Sequence, residues 1–265
     1  EPIILLHMSG SSSDEFERAG DLLAASHAVY APDLLAFGSS DKPSRVYTLK
    51  EHAETMIKFM DCLGIKTAYF VGNLVGANIA VHVAMACPER VKGMFLSSFC
   101  YSADYEEFRS YGSLPVYQPI PISEDGSHLV EMWKRTKRYQ ETTDVISART
   151  LCMHLAGEWS ESLHYALFSD IDLTECLREV KTPVKLIGAP AEEEKLSQVA
   201  ELLPDAEYEI VNDLNPFFDR NKNIISINAI FKYHRGDVNI GDDESKYVNE
   251  TYTLAPRLVY DASVA

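Results

Sequence analysis

Basic residues are scarce in this chain: 24 Lys+Arg stand against 40 Asp+Glu, a formal net charge of -16. That balance repels nucleic-acid phosphates and anionic membrane surfaces, and no basic run offsets it, so nucleic acid is not an expected partner. Long apolar runs are missing as well. Stretches such as Ile79–Cys87 are broken well short of the roughly 18 residues that suggest a bilayer span, and no secretory leader pattern is seen, so no membrane span is expected. Paired cysteine spacing is absent. Cys62, Cys87, Cys100, Cys152 and Cys176 are scattered and mostly fall in apolar patterns, which argues against a disulfide framework and for reduced thiols in a cytoplasmic protein. There is no His/Cys pair at metal-ligand spacing and no phosphate-binding glycine loop, so no metal or nucleotide cofactor is expected.

What the chain does have is material for a core, with 46% hydrophobic residues in 265. Apolar runs of strand length alternate with amphipathic stretches of helix length: Ile3–His7, Glu15–Ala25, Ala28–Ala31, Leu49–Leu63, Ala68–Val71, Val75–Cys87 and Val91–Ser97. The alternation resumes at Val184–Ile187, Glu193–Leu203, Glu207–Val211 and Asn223–Tyr233. It predicts an α/β fold, a mostly parallel sheet flanked by helices. Between the two blocks, Tyr101 to about Leu173 holds both tryptophans, a Pro-rich turn at Pro115–Pro121, and helical spacing in Leu129–Tyr139 and Ala148–Ala156. This reads as a helical lid or cap inserted over one end of the sheet. The expected organisation is a core of 1–100 and 173–234, a lid of 101–172, a polar linker of 235–246 and a closing strand pair within 247–265.

One segment points to chemistry. Gly72-Asn73-Leu74-Val75-Gly76 follows a strand and opens a helix, the context of a nucleophile elbow, where two glycines permit a sharp turn that lifts the central side chain into a site. The central residue is Leu74, which has no proton to lose and no lone pair to attack with. With that elbow, Pro2–His7, the run Val29–Pro43, Gly76–Ala80 and Cys87–Val91 stand in order. Together they resemble the α/β-hydrolase superfamily, in the branch of haloalkane dehalogenases, epoxide hydrolases and carbon–carbon bond hydrolases. The resemblance implies a nucleophile at Leu74, an acid at Ala191 and a histidine at Leu214, or Asn215 with a one-residue shift. None has the required side chain. Glu192, Glu193 and Glu194 follow Ala191, but a solvated helix start explains them more simply. The alternative acid position after Val91–Ser97 offers only Ser98, Phe99 and Cys100.

A triad works as a unit, so without its nucleophile the other members keep little hydrolytic value. The expectation is a pseudo-hydrolase with a lidded apolar pocket that holds a small apolar molecule or a protein partner. Backbone donors near Met8, Ser9 and Val75 would be what remains of an oxyanion site. His7, Trp133, His154, Trp159, His164 and Tyr165 are the candidates for lining the pocket or its lid. Two other readings stand beside this one. The first is a non-hydrolytic enzyme, a lyase, cyclase or isomerase of specialised metabolism, working largely by positioning. The second is a hydrolase with a relocated nucleophile such as Ser9, Ser39 or Ser98. The tail carries its own expectation: read straight into Glu1–His7, Ser245–Ala265 supplies the two strands that begin such folds, which suggests circular permutation. A tail used for subunit contacts would instead make a homodimer.

Overall fold

The computed structural model describes residues 1–137 and 143–212. Its centre is a six-stranded, all-parallel sheet in the order β2-β1-β3-β4-β5-β6. The strands are β1 (Ile3–Leu6), β2 (Val29–Tyr30), β3 (Ala68–Asn73), β4 (Val91–Ser97), β5 (Val184–Gly188) and β6 (Ala206–Ile210). All six coincide with the expected apolar runs. β1 is buried along its whole length, as a parallel strand covered on both faces should be.

The helices between strands form for legible reasons. Helix α1 (Glu17–Ala24) follows a short 3-10 turn, Ser13–Phe16, so the expected single helix from Glu15 is two pieces. Helix α2 (Leu49–Cys62) starts at a capping box: the Thr48 hydroxyl accepts from Glu51 N–H, and the Glu51 carboxylate accepts from Thr48 N–H. Helix α3 (Val75–Ala86) is buried from Val75 through Ala84, which is why its sequence is apolar all round. Helix α9 (Glu193–Leu202) packs Leu196 and Val199 into the same core.

The long interruption between β4 and β5 is helical, as expected, and contains no strand among its described residues. Helices α5 (Ser127–Lys137) and α6 (Thr143–Ala156) were legible from spacing. Three short helices, α4 (Tyr105–Ser110), α7 (Ser162–Phe168) and α8 (Thr174–Glu179), were not, being too short for a periodic signal. A buried pair ties this insertion to the core: His82 Nε2 on α3 meets Asp170 Oδ2 at 2.8 Å, and the Tyr105 hydroxyl donates to the Asp170 carbonyl at 2.6 Å. Leu214, Asn215, the Asn223–Tyr233 helix, the 235–246 linker, the 247–265 strand pair and the permuted order lie outside the described residues.

Backbone meets backbone closely at the turn between β3 and α3. A Cβ on Gly76 would stand 2.1 Å from the Leu6 carbonyl oxygen, and one on Gly72 would stand 2.5 Å from the Ala77 backbone. Because both neighbours are backbone, neither can swing away. Gly76→Ala is therefore expected to lower unfolding free energy by about 3 kcal/mol or more, or to prevent accumulation of folded protein, as read by urea denaturation.

Candidate functional site

At the end of β3 the chain makes the elbow anticipated from the sequence. Leu74 sits at its apex with φ 49° and ψ -118°, a conformation that costs a branched side chain on the order of 1–3 kcal/mol. The turn is held by Leu74 N–H donating to the Ser97 carbonyl at 2.9 Å and by Ala77 N–H donating to the Leu74 carbonyl at 2.9 Å. The Leu74 side chain is half-buried and packs beside Met8 and Val145, so the floor at the apex is apolar. Val75 N–H lies in the first turn of α3, where helical N–H groups have no intrahelical acceptor. It remains a candidate backbone donor.

The loop after β1 lies against this apex, and a buried acid shapes it. Glu15 Oε2 accepts Met8 N–H at 3.0 Å, and Glu15 Oε1 accepts the Asn73 amide at 2.6 Å. Met8 N–H is thus consumed, which corrects its assignment as an oxyanion-type donor. Burial pushes the Glu15 carboxyl up to about 7, against the opposing pull of Met8 N–H, Asn73, Ser11 and the Arg149 charge. His7 is corrected as well. Its Nδ1–H donates to the Met8 carbonyl at 2.8 Å and its Nε2 accepts Leu34 N–H at 2.9 Å, so a fully buried neutral ring pins two backbone segments and offers nothing to a ligand. Burial lowers its pKa accordingly.

Ser9 has the neighbour that the sequence did not disclose. Its Oγ is 3.3 Å from His164 Nδ1, and the same Nδ1 is 2.6 Å from Glu161 Oε2. Glu161 is 1% exposed and also meets the Arg135 guanidinium at 3.4 Å, while Arg149 reaches the Ser9 carbonyl at 3.5 Å. Glu161 and His164 are three residues apart at the start of α7, a helical spacing visible in the sequence. Their meeting with Ser9 and Arg135 was not visible, because it joins three distant segments.

Ala191 is exposed in a 3-10 turn and carries no acid, but Glu192 next to it is not simply a solvated helix start. Its Oε2 accepts from the Ser98 hydroxyl at 2.7 Å and Ala189 N–H at 3.0 Å, and its Oε1 accepts from Lys195 at 2.8 Å. The bland reading holds for the exposed Glu193 and Glu194. Ser98 is fully buried with φ 50° and donates its proton to a carboxylate, and Ser39 is exposed on a surface loop. Among the described residues, Ser98 meets the Glu192 carboxylate but no histidine, and no side-chain partner is seen for the Ser39 hydroxyl.

The remaining lid candidates disperse. Trp159 packs against the main core and Trp133 is half-buried on α5. His154 faces His128 edge-on, with ring centroids 5.8 Å apart, and burial and that neighbour lower its pKa. Tyr165 donates to Gln118 at 2.9 Å and lines a cleft of about 430 Å³ with Tyr47, Arg109 and Phe168. None of Met8, Ser9, Leu74 and Val75 lines that cleft. Among the described residues no group of three or more His, Cys, Asp or Glu side chains is placed to hold a metal ion, and no helix is long and apolar enough to cross a membrane.

A parallel sheet with a strand–elbow–helix beside its first long loop, and a helical insertion two elements later, defines a recognisable class of α/β protein. The family model of the alpha/beta hydrolase fold matches residues 1–140, and the chain belongs to that family. Curated relatives include Lipase 3 of Moraxella sp. (strain TA144), 35% identical over 98 residues, which are 36% of this chain and 31% of that protein. A 2-hydroxymuconate semialdehyde hydrolase of Pseudomonas putida is also 35% identical over 98 residues, covering 36% of this chain and 35% of the relative. A haloalkane dehalogenase of Bradyrhizobium diazoefficiens is 31% identical over 99 residues, covering 37% and 32%. The matched stretch thus spans about a third of these relatives' length. Among solved structures, a thermophilic esterase from Thermogutta terrifontis superposes with a TM-score of 0.70 at 19% identity, covering 88% of each chain. The epoxide hydrolase CorEH gives 0.66 at 18% identity, covering 88% of this chain and 90% of that one. At such identities these superpositions establish the fold.

Glu15 makes stability depend on pH. Its folded-state pKa, about 7, lies above the unfolded value of 4.5, so its contribution is fully present below 4.5 and is lost as pH rises through 7. His7 and His52, both lowered by burial, act in the opposite direction, so the comparison with Glu15→Gln isolates the effect. In urea denaturation the stability of wild type relative to E15Q is expected to fall by on the order of 2–3 kcal/mol between about pH 4.5 and pH 8.

Proposed function

We propose that this protein binds an apolar small molecule over the Met8–Leu74–Val145 floor, beneath the helical insertion acting as a lid, and does not hydrolyse esters, amides or epoxides through its elbow. The observation that carries this reading is the leucine at the elbow apex: the backbone strain of a nucleophile site is kept while the side chain has no atom able to attack. The half-buried Leu74 beside Met8 and Val145 supports an apolar occupant. All five cysteines are free thiols, which supports a reducing, cytoplasmic setting. No metal or nucleotide cofactor enters this reading.

A second reading, hydrolysis through Ser9, rests on the Ser9–His164–Glu161 cluster, and the names of the relatives favour it. Its geometry is incomplete. Ser9 and Glu161 both approach His164 Nδ1, so an imidazole donating Nδ1–H to Glu161 has no lone pair there for the serine proton. Base catalysis needs the ring turned to present Nε2 to Ser9 while Nδ1 stays on Glu161.

Two measurements decide between them. Nile red fluorescence titration should show saturable binding, weakened at least tenfold by Leu74→Asp, because a carboxylate in the floor must be desolvated by an apolar occupant. Aspartate also tolerates the positive φ better than leucine, so the variant is expected to fold. Hydrolysis of p-nitrophenyl butyrate by the wild type should equal that of Ser9→Ala and His164→Ala. A wild-type rate at least tenfold above both variants would replace binding with the Ser9 reading. Absence of Nile red binding would overturn the apolar site.

A further inference from the structure

Each of the three floor residues is adjacent to a group that Glu15 touches or attracts. Glu15 Oε2 accepts the N–H of Met8 itself. Its Oε1 accepts the side chain of Asn73, the residue before Leu74. Arg149, whose charge acts on the Glu15 carboxyl, lies on α6 one turn beyond Val145, so the two share a helix face. The loop between Met8 and the insertion is also tight. A Cβ on Gly10 would stand 2.5 Å from Met153 Sδ, so the loop lies against the Met153 side chain of α6.

We propose that Glu15 is the positioning residue of the apolar site: ionised, it grips the Met8 N–H and the Asn73 amide together and so seats Met8 against Leu74 in one floor, and protonated, it loosens that grip. This rests on the reading of the floor as a binding site. The groups around Glu15 make the switch simple. From the β1 loop, His7 is bonded to backbone at both ring nitrogens; from β3, Asn73 is neutral; from α6, Arg149 is the charge that favours the ionised form. Burial opposes ionisation and holds the carboxyl near 7, so both states are populated around neutral pH. Holding a buried charge to shape a site lowers stability, as functional constraints commonly do.

The test is NMR titration of the full chain. The Met8 amide signal should titrate with a midpoint near 7, and it should be flat in Glu15→Gln. In Arg149→Met the midpoint should rise, since loss of the cation disfavours the ionised form. Nile red affinity should follow the same midpoint in the wild type and lose its pH dependence in E15Q. A merely structural Glu15 would change melting temperature but give no shared midpoint. A Met8 amide that is flat in the wild type, or titrates unchanged in E15Q, overturns the proposal. So does Nile red binding with the same pH profile in both proteins. If Met8 titrates as expected and Nile red binds neither protein, the proton-linked clamp stands and the apolar-site reading fails.

Discussion

The structure turns on a contact with no side chain in it: the backbone of Gly76 against the carbonyl of Leu6. That approach lets α3 begin at the end of β3 while lying across β1. It brings the loop after β1 to the elbow and sets the distance between Met8 and Leu74. Gly72, pressed against the Ala77 backbone, closes the same turn from the strand side. The elbow is therefore a packing requirement of this sheet and helix, independent of whatever side chain occupies its apex.

This separates architecture from chemistry. In a family many of whose members are named as hydrolases, the strained apex is ordinarily understood through the nucleophile it presents. Here the strain persists under a leucine, held by the Ser97 carbonyl and the two glycines, and the apex contributes apolar surface. Ser98 at the end of the neighbouring strand shows the same separation. Its φ of 50° and its bond to Glu192 place a hydroxyl and a carboxylate near a position where the family can carry an acid, yet the pair satisfies itself.

Polar groups lost from the elbow are matched by polar groups in the loop facing it. Glu15 bonds the loop at Met8, and from the insertion His164 and Arg149 reach Ser9, with Glu161 and Arg135 behind His164. Buried charges of this kind are tolerated only when paired or hydrogen-bonded, and each of these acids has its partners. The insertion is thus tied to the core by polar contacts at the loop and by the His82–Asp170 pair farther along.

The sequence by itself determined the sheet, because period-2 and continuous apolar runs such as Ile3–His7 and Val91–Ser97 alternate with helical spacing whatever the tertiary context. It also determined the leucine at the elbow and the missing acid at Ala191, since chemistry at a motif position is a property of the residue. It left the role of His7 open, and treated Met8 N–H as a donor and Glu192 as solvated, because hydrogen-bond partners outside the local pattern, from seven to 94 residues away, decide such matters. Only the tertiary structure brought Glu15 under Met8, set Ser9 against His164 and turned Glu192 onto Ser98. Each of these meetings joins segments whose sequence separation carries no local signal, and burial then fixes the proton affinity and availability of the groups involved.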